Sequence, residues 1–529
     1  MKKIFKAVLA ISVAVMFVSC EKDFELQRPN QSPWQSVSEL ELAVQAPYLY
    51  ITERPWANAI GMMALSGFGE SDIAMYLTGM SGDSYYYAYD QRMFSNLVLA
   101  NAKELEGAFI YLYAMSTATN AALDLLDNSD NIDPFPGMTE ADRAKVKEYK
   151  GELLFQRAVA YWYLVRKWAP PYNEANKDGR YFVMNRTYVN SADELKNGKL
   201  ASVEEVYNAI VSDLKEAASL LPADYPADNG SARMRANKYA AKALLARVLF
   251  YMGAEANKTE IKALLDEVIS QTNLYDLSEE PYAAHSKIGT GYGKETIWQI
   301  CYDSSTERFD RNPGVFNYYA YNTNVYSPGD PKSSGYIAFA MSFDALTKIG
   351  WEDATLHETA EARADLRYQQ LFRKCVDETT VYWQAAQTMP GKPDLIFLWK
   401  YFRAADPGAK AERRANRPLI RLADLVLMRA QIRLMTNDPN GAADDVNAVR
   451  LRAGLEPLDA VTEKDIEIER IKEMAGENAD RINWLVGLHK DIPIGNRDAA
   501  KYQAIKYPYS EMYYQVPVQE QQTNSAYQQ

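Results

Sequence analysis

Cysteine and histidine are scarce in this chain of 529 residues, which contains three of each. His285, His357 and His489 stand far apart, so the HExxH pair of zinc hydrolases is missing. Cys301 and Cys375 lack the CxxC spacing of redox and zinc sites, which leaves open whether they pair with each other or stay free thiols. These absences favour a protein without catalytic or metal-ligating histidine and cysteine sites.

Motifs for nucleophilic and nucleotide chemistry are also missing. The chain has no GxSxG elbow and no phosphate-binding loop, and the glycines of residues 289–293 do not have the GxGxxG spacing. Residues 127–130 lack the spacing and the glycine of an EF-hand loop, so structural calcium is possible but unsupported. No pair among the 70 acidic residues can be singled out for glycoside cleavage. We therefore predict a protein that is not an enzyme and needs no cofactor.

Positive charge is in deficit, because 58 lysines and arginines face 70 acidic residues, a formal net charge of −12. Such a surface repels phosphate, and binding of a polyanion would require a strong local basic patch. The densest basic run, residues 410–421, includes Glu412 and is typical of a solvated loop. We predict no nucleic-acid partner.

Long apolar runs are absent except at the start of the chain. Three lysines precede the apolar run Ala7–Val18, which ends at Ser19 and Cys20 and is followed by an acidic, polar stretch. The run is short for a membrane span. Its ending resembles a bacterial lipobox, with a transmembrane anchor or an ordinary cleaved signal as alternatives. We expect a lipoprotein signal peptide at 1–19, lipidation at Cys20 and a tether over 20–36.

Helical periodicity dominates what remains. Residues 149–168 place Leu154, Ala158, Tyr161 and Val165 on one face of a predicted helix. Two helical hairpins are predicted, and their helices cover residues 203–221 with 237–252 and 422–435 with 442–453. A turn over 437–441 joins the second pair. Small residues inside these helices permit the close crossings of tetratricopeptide-like repeats, although the spacing is irregular.

Two stretches differ in texture from the helices. Residues 275–416 and residues 51–95 are broken repeatedly by glycine, proline and polar residues. The sequence thus predicts a mainly α fold in which degenerate tetratricopeptide-like hairpins form a scaffold. Loop-rich insertions with short strands, at about 51–95 and 275–416, interrupt it, and residues 37–529 form a single domain. Any recognition chemistry is expected in the insertions.

Segments in chain order resemble the motifs of the SusD/RagB family. They are Glu152–Arg166, Ala236–Met252, Pro418–Leu425, Asn447–Leu455, Glu469–Ile471 and the C-terminal Val516-Pro517 with Glu520, Asn524 and Gln528. Residues 167–171 depart from the family's glycine turn, and residues 475–481 depart from its Phe-Glu-Gly and paired-arginine pattern. The resemblance implies a lipid-anchored, surface-exposed outer-membrane protein. It also implies capture of a glycan and its delivery to a SusC-like TonB-dependent transporter.

Tyrosine is the residue type best suited to that role, and it outnumbers phenylalanine 37 to 17. A tyrosine ring offers a flat apolar face and a polar tip, which suits stacking against a sugar ring. In the family, ligand contacts come mostly from loops that correspond to the two insertions. The candidate ligand-binding residues are therefore Asp83, Tyr85, Tyr86, Tyr87, Arg92, Tyr319, Tyr321, Asn322 and Tyr326.

Three other functions stay open from the sequence. A surface glycoside hydrolase would carry a similar leader, a peptide-binding lid would use the same transporter type, and a helical scaffold could bind only proteins. Ligand behaviour separates them, because a hydrolase releases sugar, a capture protein binds it unchanged and a scaffold does neither. The identity of the glycan is not readable from the sequence.

Overall fold

The computed structural model describes most of the chain beyond its first 33 residues. The described residues are 34–52, 73–75, 103–127, 133–189, 198–225, 233–286, 291–300, 339–341, 343–353, 358–374, 396–398, 400, 416–477, 480–493, 506–511 and 513–528.

Helices account for most of these residues. They are α1 (Val37–Thr52), α2 (Lys103–Asp127), α3 (Glu140–Trp168), α4 (Val203–Leu220), α5 (Lys238–Ile269), α6 (Phe343–Lys348), α7 (Ala360–Ala364), α8 (Leu366–Leu371), α9 (Leu422–Met435), α10 (Pro439–Arg452), α11 (Glu463–Met474), α12 (Asp480–Gly487) and α13 (Val518–Thr523). Short 3-10 helices cover Pro281–Ala284, Tyr509–Glu511 and Ser525–Tyr527.

The strands are few and short. They are β1 (Ile73–Met75), β2 (Arg180–Val183), β3 (Leu200–Ser202), β4 (Thr296–Ile300), β5 (Phe339–Met341), β6 (Phe372–Lys374), β7 (Ile396–Leu398), β8 (Arg417–Arg421), β9 (Ile492–Pro493) and β10 (Lys506–Tyr507). The protein is mainly α with short strands between its helices, and the predicted fold class is confirmed.

Neighbouring helices pack against each other in series. Helix α1 packs on α2, α2 on α3, α3 on α4 and α4 on α5. Helix α5 then contacts α9, which pairs with α10 and also contacts α11. The stack therefore continues across the gap in sequence left by the long insertion. A hydrophobic core extends through this series from Leu40 to Val516.

Helix α3 lies at the centre of the stack. The predicted face is buried, but the prediction of a single buried face is wrong, because every residue from Gly151 to Trp168 except Tyr163 is buried. Helices α1, α2 and α4 surround it. Its polar positions are used for internal pairing: the Arg157 guanidinium donates two hydrogen bonds to the Asp213 carboxylate of α4, at 2.9 and 3.0 Å.

The start of α3 is fixed by a capping box. The Thr139 side chain accepts a hydrogen bond from the Asp142 amide, and the Asp142 carboxylate accepts one from the Thr139 amide at 3.0 Å. Ser202 with Glu205 and Thr462 with Asp465 form the same arrangement at α4 and α11. Each capping box provides hydrogen-bond acceptors for backbone N–H groups at the start of the helix, which have no acceptor within the helix itself.

The predicted second hairpin is confirmed, with α9 at the predicted bounds and α10 beginning three residues earlier than predicted. Pro439 is the first residue of α10, where its missing N–H costs nothing, and the Asp438 carboxylate caps the helix by accepting from the Gly441 amide at 3.0 Å. The breaker cluster at 437–441 therefore both ends one helix and begins the next.

Helix α5 runs past its predicted end at Met252. Gly253 has a φ of 138°, which breaks the helical geometry, and the chain resumes the helix beyond it. The Asn257 side-chain amide bridges the break by donating to the carbonyls of Leu249 and Gly253, at 3.1 and 3.0 Å. A glycine that the sequence pattern favours as a helix end is here an internal kink.

The strands form two-stranded antiparallel pairs among the described residues. Strand β4 pairs with β8, so that Thr296 lies opposite Arg421 and Ile300 opposite Arg417. Every residue of both strands is buried. Because β4 leads into residues 301–416 and β8 returns from them, this pair forms the base at which the long insertion joins the helices.

Among the helices that the structure describes, none combines the length and the apolar character needed to cross a membrane.

Candidate functional site

The pairing of β1 with β5 brings the two insertions together. In this antiparallel pair, Ile73 lies opposite Met341 and Met75 opposite Phe339. The predicted ligand-binding residues belong to two tyrosine-bearing segments, residues 83–92 and residues 319–326. The chain leaves β1 at Met75 toward the first segment, and it enters β5 at Phe339 after the second. The strand that precedes the first segment therefore pairs with the strand that follows the second. Sequence reasoning did not anticipate this proximity.

The predicted site residues themselves lie outside the described residues. They are Asp83, Tyr85, Tyr86, Tyr87, Arg92, Tyr319, Tyr321, Asn322 and Tyr326, together with the predicted lipidation site Cys20. Cys301, Cys375 and His357 also lie outside them. The assignment of these side chains to ligand binding and lipidation stays a prediction.

Arginines of the motif segments are held by buried carboxylates. Asp213 of α4 accepts a hydrogen bond from Arg157 at 2.9 Å. Asp424 of α9 accepts one from Arg247 and one from Arg470, both at 2.7 Å. Burial raises the pKa of Asp424, but the attraction of Arg247 and Arg470 outweighs it, so that the pKa lies below its usual value. These motif residues join helices that are distant in sequence, which is a structural role.

A larger set of charges connects residues of the long insertion with β8, α10 and α11, and we refer to it as the ionic cluster. Its cations are Arg367, Lys400, Arg421, Arg450, Arg452 and Lys472, and its carboxylates are Glu295, Glu361, Asp365, Glu469, Glu473 and Glu477. Six cations face six carboxylates, so their formal charges cancel. Most of these side chains are buried, which makes full pairing necessary.

Arg421 is the centre of the ionic cluster. It is the last residue of β8, and its guanidinium contacts Glu295 and Glu473 at 2.6 Å and Glu477 at 2.7 Å. Burial raises the pKa of Glu477, but Arg421 and Lys400 outweigh it and lower the pKa to about 2. The carboxylate is therefore ionised at neutral pH, as the pairing requires.

His285 lies beside the ionic cluster, with its Nε2 atom 3.8 Å from a carboxylate oxygen of Glu477. Burial, together with the nearby cations Arg421 and Lys400, lowers the pKa of His285 to about 3, against the attraction of Glu477. The ring is neutral at physiological pH. The His285 side chain is buried.

A cleft lined by aromatic and charged side chains opens between α3, α5, α9, α11 and α12. The Arg166 guanidinium lies 4.8 Å from the centre of the Tyr163 ring, and Arg470 lies 4.1 Å from the centre of the Trp484 ring. The cavity measures about 50 Å³, whereas small-molecule sites usually occupy about 300–1,000 Å³. The cleft is thus too small for an oligosaccharide.

Metal binding finds no support in the described ranges, where no group of three histidine, cysteine or acidic side chains is arranged to hold an ion. His489, for instance, stacks on the Tyr509 ring with 4.8 Å between ring centres.

Family models for SusD proteins match two long parts of the chain. The model described as starch-binding associating with outer membrane matches residues 75–250, and the model described as SusD family matches residues 294–482. Together they span more than half of the sequence. The second match includes both strands of the β4–β8 base and every residue of the ionic cluster.

Individual relatives agree with these models. A SusD-like protein of Formosa agariphila is 26% identical over 399 residues, which cover 70% of this chain and 69% of the relative. A SusD superfamily protein of Bacteroides thetaiotaomicron has a TM-score of 0.70 at 18% identity, and the alignment covers 93% of this chain and 98% of that protein. Surface glycan-binding protein A of Bacteroides uniformis has a TM-score of 0.67 at 18% identity, with coverages of 93% and 98%. At these identities the solved structures show the shared fold.

Proposed function

Because the chain belongs to the SusD/RagB family, we propose that it is a non-catalytic surface lipoprotein that captures a glycan and delivers it to a SusC-like TonB-dependent transporter. Residues 1–19 are the signal peptide, Cys20 carries the lipid, residues 20–36 form the tether and the remaining chain acts as one domain. Lipidation would anchor the protein on the outer membrane, facing outward.

The observation that carries the proposal is the pairing of β1 with β5. Met75, which precedes the first tyrosine-bearing segment, lies opposite Phe339, which follows the second. Two segments that border on paired strands can both reach one ligand with their rings, and amide or carboxylate groups between them can accept hydrogen bonds from sugar hydroxyls.

Binding and turnover should be measured together. The purified protein is run through native gels that contain starch, mucin or plant polysaccharides, positive ligands are titrated by calorimetry, and release of reducing sugar is followed in parallel. Retardation without release supports a capture protein and names the polysaccharide class. Release supports the alternative of a surface glycoside hydrolase, and absence of both effects favours a peptide-binding lid.

Replacing Tyr319, Tyr321 and Tyr326 together by alanine tests the site. Each stacking ring contributes about 0.5–1.5 kcal/mol, so the triple variant should bind the retained polysaccharide at least about tenfold more weakly. Tyr188, which is exposed outside both insertions, provides the matched control. Tyr188→Ala should leave the affinity unchanged. Unchanged affinity in the triple variant would refute the assignment of these three residues.

Partner capture is tested separately. Purification of the tagged protein from outer membranes should yield a TonB-dependent transporter as its main companion, identified by mass spectrometry. Recovery of the protein alone under mild detergent would count against delivery to a transporter, without affecting the glycan-binding result.

A further inference from the structure

A buried side chain connects the strands that border the two tyrosine-bearing segments with helix α11. Strand β5, which pairs with β1, lies beside β7, and β7 pairs with β6. Lys400 follows the last residue of β7 by two positions. Its side chain is fully buried and leads from these strands toward α11.

The contacts of Lys400 are short and specific. Its Nζ atom donates to the backbone carbonyl of Glu473 and to the Glu477 carboxylate, both at 2.6 Å. Glu473 belongs to α11, and Glu477 follows that helix. Glu477 in turn accepts from Arg421 at the end of β8. A continuous ionic path therefore joins β7 to the base of the insertion and to the helical stack.

We propose that Lys400 is a positioning residue for the binding surface. Its ammonium group holds β7, and through it β5 and β1, at a set place relative to α11. The ends of both tyrosine-bearing segments are thereby kept in register with the scaffold. The structural part stands on these contacts alone, whereas the expected effect on affinity rests on the proposed glycan-binding function.

Lys472 provides a matched comparison. It is also a fully buried lysine of the ionic cluster, located on α11. Its Nζ atom contacts Glu361 of α7 at 2.5 Å and lies 3.8 Å from Asp365, the residue before α8. Loss of either ammonium group removes one buried positive charge from the same cluster. Of the two losses, only that at Lys400 removes contacts between α11 and the residues that directly follow β7.

Hydrogen exchange followed by mass spectrometry tests the structural part on the full chain. In Lys400→Met, peptides that span β5 and β7 should exchange about tenfold faster, which corresponds to about 1.4 kcal/mol of lost protection. Peptides of α3 and α4 should be unchanged. Lys472→Met should leave β5 and β7 unaffected and instead speed exchange at α7 and α8. Equal exchange of β5 and β7 in the two variants would overturn the proposal.

Two further variants guard against a general loss of folding. Lys400→Arg keeps the charge and should restore slow exchange in β5 and β7. If Lys400→Met does not fold, the double variant Lys400→Met with Glu477→Gln removes one cation and one anion and leaves the ionic cluster neutral. Fast exchange at β5 and β7 in that variant supports the proposal, and slow exchange contradicts it.

Affinity gels with the polysaccharide that retards the unaltered protein form the second arm. Lys400→Met should bind it about fivefold or more weakly, about 1 kcal/mol, whereas Lys472→Met should bind normally. If no polysaccharide retards the unaltered protein, the proposed function fails while the exchange comparison still decides the role of Lys400. Faster exchange with unchanged affinity would refute Lys400 as a positioning residue for binding.

Discussion

Buried ion pairs connect arginines of the motif segments with carboxylates on other helices. Asp424 lies between Arg247 and Arg470, and Asp213 accepts from Arg157. Removing one member of a buried ion pair leaves an uncompensated charge and typically costs about 3–5 kcal/mol. These residues therefore constrain how the helices meet, and they say little about which ligand is bound.

His285 makes the stability depend on pH. Its pKa is about 3 in the folded protein and about 6.5 in an unfolded chain, so only the unfolded state binds a proton between these values. The stability contributed at neutral pH is consequently lost as the pH falls below about 6.5. In His285→Gln this loss should disappear. The stability difference between the two proteins should change by about 1.4 kcal/mol from about pH 5.5 to about pH 4.5.

Urea unfolding at the two pH values measures this difference. His489→Gln serves as the control, because His489 is exposed whereas His285 is buried. Desolvation lowers the pKa of His489 as well. The stability difference should change less with pH for His489→Gln than for His285→Gln. A stability difference for His285→Gln that does not vary with pH would show that the folded ring takes up a proton as readily as the unfolded one.

At the scale of elements, close contacts between helices depend on small residues. A Cβ atom on Gly151 of α3 would lie 3.0 Å from the Leu221 Cγ atom and 3.1 Å from the Leu220 Cβ atom, at the end of α4. Only a glycine permits this approach without movement. Small residues were expected to permit close helix crossings, and Gly151 does so at this contact.

Gly151→Val should therefore lower the free energy of unfolding by about 1–3 kcal/mol, the usual cost of overpacking a core. Ala141→Val, at an exposed position of the same helix, should change it by less than about 0.5 kcal/mol. Chemical denaturation with helical circular dichroism measures both. Equal changes in the free energy of unfolding for the two substitutions would show that the contact between α3 and α4 accommodates the larger side chain without cost.

Helices differed in how well the sequence predicted them. The bounds of α9 were predicted because a proline and a capping aspartate follow it directly, and such signals act over a few residues. The burial of α3 on all sides was not predicted, because its polar side chains are paired with residues such as Asp213 that lie far away in sequence. Continuation of α5 beyond Gly253 was missed for a similar reason, since the bridging Asn257 carries no recognisable signal.

For the whole molecule, attachment to the membrane is predicted to depend on Cys20. Several acyl chains on one residue, each buried methylene contributing about 0.8 kcal/mol, would hold the protein firmly. Cys20→Ala should release the protein into the soluble fraction and abolish incorporation of labelled palmitate. Cys301→Ala should remain membrane-bound and labelled. Labelling of Cys20→Ala would place the lipid elsewhere.

By itself, the sequence determined the helical scaffold, the two insertions and the likeness to a family, because periodicity, turn residues and short motifs are local properties. Only the tertiary structure decided that β1 pairs with β5, that β4 and β8 close the base of the long insertion, and that Lys400 joins β7 to α11. Such contacts join residues up to hundreds of positions apart. Their geometry follows from the packing of all the helices at once, which no local pattern encodes.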